Sequence, residues 1–149
     1  MQLDSLYQEV IMDHYKNPQN KQLLKAFDAQ VHHVNPSCGD EQDLNLKCSD
    51  NSIEAIGWNG VGCSISQAST SIMSDLLTGK SISDALKIQG AFVEMLQSKG
   101  KMSGDEALLE DAVVFAGVSQ FPARVKCALL GWMAFKDALL QSEERKLAK

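Results

Sequence analysis

Three cysteines in this sequence occupy positions where a thiol is available for chemistry. Cys38 lies in a turn-like segment beside a glycine, Cys63 stands at the predicted start of a helix, and Cys127 comes early in the last predicted helix. The N-terminus of a helix carries partial positive charge, which lowers the pKa of a thiol placed there. We therefore expect these thiols to ionise easily and to bind a metal or act as nucleophiles.

Asp40 adds an oxygen ligand two residues after Cys38. Three thiolates and one carboxylate make four ligands, which suits the tetrahedral coordination of Zn²⁺. The sequence contains no C-x-x-C pair of the kind found in zinc ribbons and thioredoxin-type sites. Cys38 and Cys63 are 25 positions apart, and Cys63 and Cys127 are 64 positions apart. Two simpler interpretations stay open, namely three unrelated cysteines and an Asp40 that only caps a turn.

The remaining candidates take supporting or structural roles. Cys38 is the sulfur most free to react as a nucleophile, because it lies in a loop. Arg124, one helical turn before Cys127, is expected to steady a thiolate or a bound anion. Cys48 shares the apolar face of a predicted strand and is interpreted as a buried core residue. We assign no functional role to the three histidines. His14 continues an apolar helix stripe, and His32 and His33 face opposite sides of a predicted strand.

The elements that position these residues follow from the period of the hydrophobic residues. A helical stripe that begins at Leu3 and includes Leu6 predicts a first helix, which stops at Lys16–Asn20. Short alternating segments then predict an antiparallel meander, and helical periods return after them. The predicted strands are 27–34, 44–48 and 53–59. Of the four later helices, one covers 64–78, one begins at 81, a short one covers 111–116, and the last begins at Pro122. A mobile loop is predicted at 98–105. The fold class is α+β, a small three-stranded antiparallel sheet packed with about five helices.

Length and charge exclude several classes of protein. The 149 residues suggest one domain, 1–149, and the net charge of −5 argues against nucleic-acid binding. No run approaches the ~18 apolar residues that span a membrane. Met1–Asp4 shows no basic start of a secretory signal, so we expect a cytoplasmic protein without a membrane partner.

Four segments together resemble the IscU/NifU family of iron–sulfur cluster scaffolds: Leu6–Pro18, Asn35–Asp40, Gly60–Ser66 and Phe121–Cys127. The resemblance extends from residue 3 to about residue 140. It implies a three-stranded antiparallel sheet with helices and a role in iron–sulfur cluster assembly. Carried over position by position, it implies a metal site formed by Cys38, Asp40, Cys63 and Cys127.

Departures from the IscU pattern are similar to the SufU branch of this family. Phe121–Val125 replaces a Leu-Pro-Pro-Val-Lys chaperone motif, Lys126 replaces a histidine, and the stretch 100–111 resembles an insertion. The SufU resemblance implies a zinc-dependent sulfurtransferase. Its Cys38 would accept persulfide sulfur from a PLP-dependent cysteine desulfurase of the SufS type and pass it to downstream Suf assembly proteins.

Two alternatives use the same residues. In one, the three thiolates hold a [2Fe–2S] cluster with Asp40 as a labile fourth ligand, and the chain is a scaffold that transfers the cluster. In the other, the chain is a non-catalytic zinc domain that only binds another protein, and its fold depends on the metal.

Overall fold

The computed structural model describes residues 5–147, which form a three-stranded antiparallel sheet and five α-helices. Leu3, which the sequence places in the first helix, and the other residues of segment 1–4 lie outside this range. The elements in chain order are α1 Ser5–Lys16, β1 Ala29–Asn35, β2 Asp40–Ser49, β3 Ser52–Val61, α2 Ser64–Leu77, α3 Ile82–Leu96, α4 Glu106–Leu109, a 3₁₀ segment Glu110–Gln120, and α5 Pro122–Leu147.

Two tight connections make the sheet a meander in the order β1-β2-β3. Asp50 and Asn51 both have positive φ, 50° and 65°, as a two-residue hairpin turn between right-twisted strands requires. At the other connection, Asn35 pairs with Asp40 and the turn 36–39 lies between them. This second hairpin places Cys38 at one end of the sheet.

The core lies between the sheet and the helices, and large aromatic side chains fill it. Trp58, Phe92, Phe115 and Trp132 are fully buried, and the rings of Phe92 and Trp132 stack with centroids 4.0 Å apart. Helix α2 is buried around almost its whole circumference, so its N-terminus at Ser64 is held firmly in the molecule. A core of this kind stabilises the fold through apolar burial.

Helices α2 and α5 approach each other closely at a glycine. A Cβ atom on Gly131 would lie 2.1 Å from Oγ1 of Thr70, far inside van der Waals contact. Only a residue without a side chain lets the two helices pack at this distance. The glycine thereby determines how deeply α5, which carries Cys127, lies in the molecule.

The sequence prediction of an α+β meander with about five helices is confirmed, and so is the burial of Cys48, which is 8% exposed. The predicted start of the first strand is wrong: β1 begins at Ala29 and Phe27 is 42% exposed. Asp28 contacts β2 both through its N–H, which donates to the carbonyl of Leu46 at 2.8 Å, and through its carboxylate, which accepts the Cys48 N–H at 2.7 Å. Because a side chain takes part in this contact, regular strand pairing begins only at Ala29.

Two further expectations differ from the structure. Leu6 was expected in an apolar stripe but is 62% exposed, because α1 turns mainly Ile11 into the core. The short helix predicted over 111–116 is a longer 3₁₀ segment that follows α4. Glu110, with φ of 49°, interrupts the α-helical path between the two.

None of the helices in the described part of the chain is long and apolar enough to cross a membrane.

Candidate metal centre

Cys38 lies in the hairpin turn between β1 and β2. Its N–H donates to the carbonyl of Asn35 at 3.2 Å, and Gly39 adopts a φ of 69° that lets the chain turn directly into β2. Left-handed backbone of this kind favours glycine. The turn leaves Cys38 partly exposed, and its thiol approaches the carbonyl of Ala123 in α5 at 3.9 Å.

Cys127 lies in α5 directly opposite Cys38 and is fully buried. The two sulfur atoms are 3.2 Å apart. The amide of Asn35 donates to the Cys127 sulfur at 3.8 Å, so the residue that opens the hairpin turn also contacts the buried thiol. The two cysteines predicted from distant motifs are therefore neighbours in space.

Asp40 is the first residue of β2 and is 1% exposed. One carboxylate oxygen, Oδ1, accepts the N–H of Cys63 at 2.9 Å and the hydroxyl of Ser66 at 3.2 Å. The other oxygen, Oδ2, is buried and has no hydrogen-bond partner among the described residues. A buried carboxylate oxygen without a partner is costly, and a bound cation removes that cost.

These three side chains form a group that fits a metal ion. Ligand atoms of Cys38, Asp40 and Cys127 all lie within 4.8 Å of one another. Two sulfur donors and one carboxylate oxygen suit Zn²⁺, which accepts thiolate and carboxylate ligands together.

Cys63 is the N-cap residue of α2 and contacts the site mainly through its backbone N–H. Its thiol is not part of the 4.8 Å group and lies 3.9 Å from Oγ of Ser66. The structure thus brings together three of the four predicted ligands and places the fourth beside them.

The surroundings of Cys127 work against the expectation that all three thiols ionise easily. Burial raises the pKa of the Cys127 thiol strongly, and contacts with Cys38, Asp40 and Cys63 raise it further. Burial has this effect because a thiolate loses hydration in a low-dielectric interior, and nearby acidic groups disfavour a second negative charge. A metal cation in the site would act in the opposite direction and favour the thiolate.

The other predicted residues lie outside this group. Arg124 is exposed, and none of the hydrogen bonds of Cys38 or Cys127 involves its side chain. His14 is half-buried, as expected, and contacts the hydroxyl of Ser71 at 2.8 Å. The two strand histidines form separate pairs, His32 with Asp43 at 2.7 Å and His33 with Asp137 at 2.8 Å.

Sequence reasoning did not identify three residues that shape the site: Asn35, Gly62 and Ser66. Each lies within a motif that was recognised only for its cysteine or aspartate. For Ser66, the spacing was the signal that could have indicated a role. It follows the N-cap residue Cys63 by three positions, and a side chain at that position can reach back to the turn before the helix.

The fold and this site define a small α+β protein in which a group of two cysteines and one aspartate at one end of the sheet could hold a metal ion. The model of the NifU-like N terminal domain family matches residues 6–128. The chain belongs to that family.

Two curated relatives are similar over nearly the whole chain. The zinc-dependent sulfurtransferase SufU of Bacillus subtilis is 44% identical over 95% of this chain and 94% of its own length. The iron–sulfur cluster assembly scaffold protein IscU of Streptococcus pyogenes is 41% identical over 94% of this chain and 86% of its own length. Among solved structures, the N-terminal part of a nitrogen-fixing NifU-like protein from Brucella abortus superposes with a TM-score of 0.84 at 26% identity, covering 95% of this chain and 96% of that one.

Proposed function

We propose that this chain is an iron–sulfur cluster assembly protein that binds zinc and accepts persulfide sulfur from a cysteine desulfurase. The observation that carries the proposal is the buried Oδ2 of Asp40, which has no hydrogen-bond partner in the described part of the chain and lies in a group that also holds Cys38 and Cys127. The similarity to the Bacillus subtilis protein, whose name states both zinc dependence and sulfur transfer, supports it.

The proposed ligands are Cys38, Asp40, Cys63 and Cys127. Bound zinc would supply one property, because it is redox-inactive and keeps coordinated sulfurs as thiolates. Cys63 would supply the fourth ligand, since its backbone N–H already bonds to Asp40. Free cysteines suit a reducing compartment, so we assign the protein to the cytoplasm.

Cys38 is the proposed sulfur acceptor because it is the partly exposed thiol of the group, whereas Cys127 is fully buried. The partner carries a persulfide on a cysteine, as a PLP-dependent desulfurase of the SufS type would. The Cys38 thiolate attacks the outer sulfur of that persulfide, and a new S–S bond forms on Cys38. The S–S bond of the donor breaks and the donor cysteine leaves as a thiolate, so the transfer needs no external oxidant or reductant.

Arg124 has a supporting role in this proposal. It is exposed on α5 one turn before Cys127 and follows Ala123, whose carbonyl the Cys38 thiol approaches at 3.9 Å. A guanidinium in that position favours the approach of an anionic persulfide through charge attraction.

The test is persulfide trapping. The isolated protein should contain equimolar zinc by elemental analysis, and incubation with desulfurase and cysteine should add one sulfur atom to the Cys38 peptide in a mass spectrum. Cys38→Ser should lose the added sulfur. Cys48→Ser is the matched control, because Cys48 is a buried thiol far along β2 from the site. Unchanged sulfur acceptance by Cys38→Ser would contradict the proposal.

A second candidate function is that of a scaffold on which a [2Fe–2S] cluster is assembled, and the similarity to the Streptococcus pyogenes scaffold favours it. The same thiolates would hold the cluster as cargo. Anaerobic incubation with iron and sulfide distinguishes the two functions. A brown protein that transfers its cluster to an acceptor would favour the scaffold, whereas a colourless zinc protein favours the sulfur acceptor.

A further inference from the structure

Ser66 is a buried residue that contacts the candidate metal centre without belonging to its donor set. Its side chain is fully inaccessible to solvent, and its hydroxyl lies 3.2 Å from Oδ1 of Asp40. The N–H of Cys63 donates to the same oxygen at 2.9 Å. Two donors therefore converge on Oδ1 while Oδ2 has none among the described residues.

The single proton of the Ser66 hydroxyl has two acceptors within reach, and the carboxylate is the stronger one. The alternative is the carbonyl of Cys63 at 3.0 Å. That carbonyl already accepts the N–H of Gln67 at 3.1 Å in the first turn of α2. A hydrogen bond to an ionised acceptor is roughly twice as strong as one between neutral groups. The hydroxyl of Ser66 therefore donates its proton to the carboxylate of Asp40.

Gly62 closes the remaining side of Asp40. A Cβ atom on Gly62 would lie 2.2 Å from Oδ1 of Asp40 and 2.8 Å from Oγ of Ser66. The carboxylate therefore packs directly against glycine backbone. Gly62, Cys63 and Ser66 thus surround Oδ1 of Asp40, and Oδ2 is left without a hydrogen-bond partner among the described residues.

We infer that Ser66 is a positioning residue of the metal centre: its hydroxyl, with the amide of Cys63, holds Oδ1 of Asp40 so that Oδ2 alone is offered to the metal. A carboxylate tied in this way binds through one oxygen and keeps one orientation. Residues that orient a ligand in this manner typically change metal affinity by about 10- to 100-fold when they are removed. The inference rests on the proposed metal site and does not depend on sulfur transfer.

The experiment measures zinc affinity by competition with a chromophoric chelator. Ser66→Ala should bind zinc about tenfold or more weakly than the wild type. Ser66→Thr keeps a hydroxyl and should recover most of the loss. Ser74→Ala is the matched control, because Ser74 is equally buried on α2 but bonds to the carbonyls of Gln19 and Ser71.

A second readout separates positioning from general destabilisation. The visible absorption of the cobalt(II)-loaded protein reports the ligand geometry directly. We expect Ser66→Ala to shift this spectrum and Ser74→Ala to leave it unchanged. If Ser66→Ala does not fold, Gly62→Ala displaces the same oxygen from the other side and should give the same loss of affinity.

The outcomes distinguish this inference from the proposed function. A wild-type chain that binds no zinc would contradict the metal site itself. A wild type that binds zinc, together with a Ser66→Ala variant of unchanged affinity and an Asp40→Ala variant of reduced affinity, would overturn the role of Ser66 alone. Unchanged affinity of a folded Gly62→Ala variant would overturn it as well.

Discussion

The sulfur atoms of Cys38 and Cys127 lie 3.2 Å apart although 89 positions separate the two residues in the chain. One sulfur comes from the hairpin turn that ends β1, and the other comes from the second turn of α5. Their distance therefore depends on how α5 packs across the sheet. The amide of Asn35, which contacts the sulfur of Cys127, joins the two elements at this point.

Mild oxidation of the metal-free chain should form a disulfide between Cys38 and Cys127, because their sulfurs are the neighbouring pair in the site. Diamide is a suitable oxidant, and peptide mapping by mass spectrometry identifies the linkage. Zinc-loaded protein should resist, since its thiolates are coordinated. A main product that instead links Cys63 or Cys48 would contradict the described geometry.

Removal of zinc with a chelator should lower the thermal midpoint but leave the secondary structure intact. The core around Trp58, Phe92 and Trp132 is formed by apolar side chains, none of which is a proposed metal ligand. Ligand binding to the native state adds about 2.7 kcal/mol when the ligand stands at 100 times its dissociation constant. Circular dichroism with and without chelator checks this, and loss of the helical signal would favour a purely structural zinc domain.

Gly131→Ala should lower the free energy of unfolding by about 1–3 kcal/mol, because the added methyl group overpacks the contact with Thr70. Gly90→Ala is a matched control. Gly90 lies on α3 with no atom within 4 Å of a Cβ built there, and alanine at such a position should stabilise the helix by about 0.5–1 kcal/mol. Urea unfolding measures both, and equal effects of the two variants would refute the close approach of α2 and α5.

His33→Ala should lower the free energy of unfolding by about 0.5 kcal/mol at neutral pH, as expected for a partly exposed pair. His33 joins β1 to α5 through Asp137, and its hydrogen bond lowers the pKa of Asp137 below 3.8. Because the carboxylate is favoured in the folded chain, this stabilisation is present above pH 3.8 and is lost as the pH falls through the lowered pKa.

Urea unfolding at neutral pH and at pH values below 3.8 measures this difference. The difference in the free energy of unfolding between the wild type and His33→Ala should disappear in acid. His32→Ala provides the comparison, because His32 and Asp43 form a pair of similar length on a more exposed surface, and it should have a smaller effect. If the loss of unfolding free energy in His33→Ala is the same in acid as at neutral pH, the role of Asp137 is contradicted.

Local pattern was enough to predict most of the elements. Alternation in β2 placed Leu44, Leu46 and Cys48 on a buried face, and all three are buried. The helical period over 64–78 located α2 closely, since the helix runs over Ser64–Leu77. Predictions failed where a contact with another segment decided the outcome, as next to Phe27, where the side chain of Asp28 bonds to the N–H of Cys48 in the neighbouring strand β2.

By itself, the sequence determined which residues are able to form the site, because thiol and carboxylate chemistry and their placement at element boundaries are local properties of the chain. Only the tertiary structure decided how these groups meet. Packing of α5 on the sheet buries Cys127 against Cys38 and raises the pKa of its thiol. The fold also decides that Ser66 and the amide of Cys63 occupy one oxygen of Asp40, since hydrogen bonds between distant segments exist only once those segments are packed together.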